Sequence, residues 1–308
     1  MPRLHRLLTG ACAAVILAAL AGCGTQEPES PSGGDRIVKH AKGQTTISGT
    51  PQRVVVLDTG ELDAALALGV RPVGTTMPDA SNTLQPYLAQ KAGKIEVVGT
   101  IGEPNLEKIA ALKPDLILSS KVRDDAHYGA LSAIAPTVFA ESVGKTWKQN
   151  FLLDAEALGK KAEAQRILGE YRNRASETGK RLGDPGTVRV SMVRFTPADI
   201  RLYGTGSFIG TILADVGLNR PPNQQTGKTF TRLSRELIAQ SDSDRVFYSA
   251  YGNGGKQQQA EVVGSAQWRN LSAVRAGKAA EVADDTWLLG LGPLAANLVL
   301  EDLRKAFG

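Results

Sequence analysis

NLEKIAALKPDLIL, residues 105–118, compresses a helix, a turn and a strand into one short stretch. Leu106, Ile109 and Ala110 fall at helical spacing, and Pro114 ends the helix. Leu116-Ile117-Leu118 is apolar without alternation, as expected of a parallel strand buried on both faces. A second copy lies downstream, where Ser234-Arg235-Glu236-Leu237-Ile238-Ala239 repeats Asn105-Leu106-Glu107-Lys108-Ile109-Ala110 in outline. Each Glu is followed two residues later by Ile-Ala, and eight residues later by an Asp, Asp115 or Asp244, that opens an apolar strand. The helix end Ala67-Leu68-Gly69-Val70 resembles Asp215-Val216-Gly217-Leu218 in the same way. Two such pairs in the same order predict two related lobes.

Outward from these copies, residues 36–40 and 44–47 flank a turn at Gly43 and read as a hairpin. Arg53–Leu57 (RVVVL) is a buried strand, and residues 61–68 form a helix that stops at Gly69. Strands are expected near Val73 and at Val97-Val98. A helix over 147–158 is interrupted by Gly159, and a longer one runs from about 160 to 182 with Ala164, Leu168, Tyr171 and Ala175 on one stripe. At ~1.5 Å per residue it extends roughly 33–35 Å. The turn Gly183-Asp184-Pro185-Gly186 stops it. The alternation then restarts with strand 188–195, helices 207–216 and 234–240, strand 246–248 and a last helix near 293–306. Helices alternating with apolar strands imply an α/β fold with parallel sheets. The body divides into a lobe at 36–158, a connecting helix at 159–183 and a second lobe at 184–308.

A chain of 308 residues favours two domains over one. Hydrophobic residues at 42%, charged residues at 22% and a mean hydropathy of -0.15 describe a soluble globular body. The net charge of +5, or +3 without Arg3 and Arg6, is too mild for a nucleic-acid partner. Both cysteines, Cys12 and Cys23, are near the N-terminus, so the body has no disulfide, thiolate metal site or catalytic cysteine. Arg3 and Arg6 precede an apolar stretch, residues 11–21, too short to span a bilayer, and residues 1–22 read as a secretion signal. The polar, Gly-, Pro- and Ser-rich segment at 23–35 reads as a flexible tether. The body is therefore expected outside the cytoplasm, where ATP and NAD are scarce.

Much chemistry is excluded. Gly144-Lys145-Thr146 and Gly227-Lys228-Thr229 lack the upstream glycine of a phosphate loop, those positions being Phe139 and Pro222. Gly204-Thr205-Gly206-Ser207 is neither a dinucleotide fingerprint nor a nucleophile elbow, and no histidine follows His127. His40 and His127 lack partners at ligand spacing, so no bare-metal site is expected.

Leu20-Ala21-Gly22-Cys23 resembles a bacterial lipobox. Together with the tether, the RVVVL strand, residues 105–118, the connecting helix, the Glu236 motif and residues 203–218 (YGTGSFIGTILADVGL), it puts the chain in the order seen in one family. The chain resembles the iron-siderophore substrate-binding lipoproteins of ABC importers, a group that includes vitamin B12 and haem binders. The resemblance implies a class III substrate-binding protein: two Rossmann-like lobes joined by one long helix, with the ligand between them. It implies a monomeric receptor, lipidated (palmitate) at Cys23 on the outer face of the cytoplasmic membrane. Such a receptor performs no chemistry, has no cofactor, and passes a ferric siderophore to a membrane permease. Glu107 and Glu236 match the family's permease-docking positions, although first-turn carboxylates are also favoured by the helix dipole alone.

Ligands of open α/β sheets sit beyond the carboxyl ends of the strands, here the loops after Leu57, Leu118, Val193 and Tyr248. Arg194 ends an apolar strand, where a buried charge needs a partner: an internal carboxylate, or the chelate oxygens that suit its fork of donors. Arg123 is open between facing Arg194 across the cleft and a solvated loop position. Trp287, before the last helix, and Tyr251, in a glycine-rich loop, are expected to wall the pocket, whereas Tyr203 is open between pocket and core. Trp147 is read as core. With only Arg194 and Arg123 near the cleft, a ferric hydroxamate is expected over a trianionic catecholate. The alternative is haem or a corrinoid, with His127 or Tyr251 as an axial ligand.

Overall fold

The structure, a computed structural model, describes residues 34–78 and 83–308; the expected secretion signal, Cys23 and the expected tether up to residue 33 lie outside the described residues. Arg36–His40 (β1) and Gly43–Ile47 (β2) pair antiparallel, with Gly43 opposite His40, so the turn sits at Ala41-Lys42, just before the expected Gly43. Six strands then form one sheet: Val54–Val56 (β3), Gly74–Met77 (β4), Glu96–Thr100 (β5), Glu103–Pro104 (β6), Leu116–Ser120 (β7) and Thr137–Ala140 (β8). Their order is β6-β5-β4-β3-β7-β8, parallel except for β6. The unbroken apolar runs mark β3 and β7, which are buried along their whole length at its centre.

The second sheet holds Val190–Phe195 (β9), Ile200–Tyr203 (β10), Phe230–Leu233 (β11), Arg245–Ala250 (β12) and Ala279–Glu281 (β13), in the order β11-β10-β9-β12-β13. Here the parallel expectation is met only in part: β9, β12 and β13 are parallel, while β10 runs antiparallel to both of its neighbours, β9 and β11. Only Thr196–Asp199 separates β9 from β10, too short for a parallel crossover, which takes about a dozen residues or more.

The internal repeat has a physical basis in its aspartates. Asp115 accepts the backbone N–H groups of Gln52 (2.7 Å) and Arg53 (2.9 Å), at the entry to β3. Asp244 accepts the N–H of Arg189 (2.9 Å), at the entry to β9. The repeated helices differ. Leu106–Ala111 is an α-helix whose cap, Asn105, accepts the N–H of Lys108 at 2.9 Å, whereas Arg235–Ser241 is a 3-10 helix whose leading Ser234 makes no capping bond.

Lys161–Arg181 is the long helix that follows the first sheet in the chain and precedes the second, burying Ala164, Leu168, Tyr171 and Ala175. The last helix, Pro293–Phe307, packs against it and against Thr59–Ala67 of the first lobe. That second contact is fastened by Asp63, whose buried carboxylate accepts the N–H groups of Leu294 (2.8 Å) and Ala295 (3.0 Å) and so caps a helix far away in sequence.

Candidate functional site

A cavity of about 550 Å³ lies where the carboxyl ends of both sheets converge. The first sheet contributes Asp58 and Thr59 beyond β3, Pro78 beyond β4, Ile101 beyond β5 and Arg123 beyond β7. The second contributes Arg194 and Thr196 from the end of β9, Arg201 and Tyr203 from β10, Phe230 from β11 and Tyr251 beyond β12.

The β9–β10 hairpin explains the polar wall. Arg201 lies directly opposite Arg194, and Arg232 opposite Arg201, so three guanidinium groups share one face at one register. Tyr203, two residues beyond Arg201, shares that face, with Phe230 opposite it. Arg201 stacks on the Phe230 ring at 4.3 Å and Arg194 on the Tyr251 ring at 4.6 Å. The motif Gly204-Thr205-Gly206-Ser207 turns the chain from β10 into the helix Phe208–Val216 against residues 226–228. A Cβ on Gly206 would lie 2.1 Å from the carbonyl oxygen of Gly227, which is why the turn needs glycine there. Ser207 caps the helix by accepting the N–H of Gly210 at 3.0 Å, and Phe208 enters the cavity wall.

Every arginine on this wall has a carboxylate. Nε and Nη2 of Arg194 both donate to Asp284, Nε at 2.7 Å, and Nη1 donates to the Tyr203 hydroxyl at 3.0 Å. Burial works against the Arg194 charge, but Tyr203 and Asp284 outweigh it and hold the group above its ordinary value. Arg123 donates to Asp58 at 2.8 Å, and that ion pair raises it. Arg201 donates to Asp199 at 2.7 Å, and Asp199 also receives Arg232 at 2.6 Å.

Among known proteins, the chain matches a family model described as periplasmic binding protein over residues 54–286. The chain belongs to the periplasmic binding protein family. It is 38% identical over 304 residues, covering 94% of each chain, to the "Probable siderophore-binding lipoprotein YfiY" of Bacillus subtilis (strain 168). It is 30% identical, again with 94% coverage of each chain, to the Fe(3+)-citrate-binding protein YfmC of the same organism. Its fold superposes on the crystal structure of Staphylococcus aureus SirA complexed with staphyloferrin B with a TM-score of 0.80 at 34% identity, covering 88% of this chain and 98% of that one. As a periplasmic binding protein, the chain is a substrate receptor of the class III fold and not an enzyme.

Against that family frame the expected site residues fall into three groups. Arg123, Arg194, Tyr203 and Tyr251 all reach the cavity. Arg194 does so as a member of a buried ion pair, and Tyr251 does so as the residue leading the helix Gly252–Val263, where a glycine-rich loop was expected. Trp287 touches the cavity floor but is fully buried: its ring packs on Phe247 at 4.8 Å and its indole N–H donates to Asp302 at 3.0 Å. Glu107 and Glu236 lie away from the cavity, each exposed in the first turn of its helix. His40 and His127 do not line the cavity; His127 lies 3.6 Å from Asp124. Trp147 is core, with its indole donating to Thr211 at 2.9 Å. Sequence reading missed Arg201, Phe208 and Phe230. The signal for the first was present in its i, i+2 relation to Tyr203 on a short strand.

Proposed function

We propose that this chain captures a ferric siderophore in the cavity between its sheets and delivers it to an ABC permease. The observation that supports this most directly is a wall of arginines stacked on aromatic rings: guanidinium donors for chelate oxygens, and apolar faces for the chelator's carbon frame. The names of the relatives, which include siderophore and ferric citrate binders, point the same way. The hydroxamate preference rested on two arginines. Arg201 makes a third, and a proposed ligand class of ferric hydroxamates and carboxylate chelates fits the wall better than hydroxamates alone.

Calorimetric titration with ferric chelates, free chelators and ferric salt tests this reading. Tight binding of the chelates and none of the salt is expected, and tight binding of ferric salt alone would overturn it. Two further parts of the proposal have their own checks. Cys23 carries a lipid, so Cys23→Ala releases the protein from the membrane fraction with its fold intact; unchanged retention argues against the anchor. Glu107 and Glu236 dock on the permease, so alanine at both lowers uptake while chelate affinity holds; a parallel loss of affinity would place them in binding instead.

A further inference from the structure

The three arginines that line the cavity, Arg123, Arg194 and Arg201, are each paired with an aspartate, and the fourth cation of the face, Arg232, shares Asp199 but lies 74% exposed outside the lining, where water screens it. One cation behind the cavity wall is not balanced. Arg220 is only 3% exposed and forms no ion pair among the described residues. Its Nη2 donates to the backbone carbonyl of Tyr203, and to Gln224 Oε1 at 2.7 Å. Its Nε and Nη1 have no partner. Gln224 is itself fully buried and fixed, accepting the N–H of Met192 at 3.0 Å and donating to Ser191 Oγ at 2.7 Å. The guanidinium is thus held one peptide group behind a wall residue, in surroundings with no counter-charge and little water to screen it.

We propose that Arg220 is a charge-selecting residue, an unneutralised cation behind Tyr203 that biases the cavity toward negatively charged ferric chelates without touching them. The inference rests on the ferric-siderophore reading and adds to it the sign of the cargo. Burial draws Arg220 down to about 9, which leaves it charged at neutral pH. The acids behind the opposite wall do not cancel it. Glu61 and Asp154 line a small void behind Val143, Gly144 and Leu291, and burial pushes both toward their neutral forms, Asp154 to about 8. The residue acts by position and field, so its signature is a change in preference between ligands of different charge. A merely structural role would weaken all ligands alike.

The test compares affinities for ferric dicitrate, an anion, and ferrichrome, a neutral ferric trihydroxamate, in the full chain and three variants. Gln224→Glu places a carboxylate at the existing 2.7 Å contact with no change of shape, and neutralises Arg220 where it stands. Arg220→Gln removes the charge, and Arg220→Lys keeps it. Expected is a fall of about tenfold, equivalent to about 1.4 kcal/mol, in the anion-to-neutral affinity ratio for Gln224→Glu and Arg220→Gln, with Arg220→Lys close to wild type. Gln224→Glu keeps the test valid even if Arg220→Gln does not fold. A ratio unchanged in Gln224→Glu overturns the inference, as does a parallel loss of both chelates in every variant. Wild-type protein that binds neither chelate refutes the receptor reading itself, and this inference with it.

Discussion

Arg194 is an arginine whose two duties cannot be separated by mutation. It presents a face to the cavity, and it neutralises Asp284 at a place where the two side chains are only 7% and 11% exposed. Arg194→Ala leaves that carboxylate buried and unpaired, so unfolding free energy is expected to fall by about 3–5 kcal/mol along with chelate affinity. Denaturant melts at neutral pH check this, and wild-type stability would show that Asp284 finds another partner. Asp154 makes a prediction about pH. Burial raises its carboxyl from 3.8 to about 8, so between those values the fold keeps a proton that the unfolded chain has already released. The stability this provides is complete below about pH 4 and is lost as pH rises toward 8. Asp154→Asn is expected to flatten the decline and raise the melting temperature at pH 8; an unchanged slope would exonerate Asp154. Legibility at this scale depended on whether a residue's partner was near in sequence. A charge at the end of an apolar run announced Arg194, because such a position demands a counter-ion. Arg201 was missed because its stacking partner, Phe230, sits on an unforeseen strand. Trp287 lines the cavity as expected, but its depth was not legible, because nothing near it in sequence announces that Asp302 holds the indole.

Among the elements, the last helix depends on a carboxylate from another part of the chain. Its first free N–H groups point to Asp63, and Gly292 lies so close that a Cβ there would come within 2.4 Å of the Asp63 Cγ. Gly292→Ala is therefore expected to push Asp63 off the helix end at a cost of about 1–3 kcal/mol, read by urea titration, with hydrogen exchange accelerating first in residues 293–297. Protection that stays at the wild-type level there would mean the cap survives. Elements that repeat or run unbroken were the ones the sequence announced: β3 and β7 through their apolar runs, and the helix Lys161–Arg181 through its buried stripe. The antiparallel β10 and β11 were not foreseen together, because a short hairpin strand on a parallel sheet carries too few residues to reveal its direction. Arg235–Ser241 shows the limit of repeat matching, since the same Glu and Ile-Ala pattern supports an α-helix in one lobe and a 3-10 helix in the other.

For the whole molecule, the two sheets are tied twice, by the helix Lys161–Arg181 and by the Asp63 cap, and the described residues form one unit of packing. A single calorimetric transition with matching calorimetric and van't Hoff enthalpies is expected, despite the two lobes. Two resolved transitions would show that each sheet melts alone. If the lobes melt together, a chelate bound at their junction stabilises all of the chain, by about 2.7 kcal/mol when free ligand is a hundredfold above its dissociation constant. Proteases act on the opened fraction of a population, and that fraction then shrinks about a hundredfold on loading. The Asp63 cap thus carries a consequence for turnover: the state of the cargo is written into the lifetime of the receptor, and empty copies are the ones cleared first.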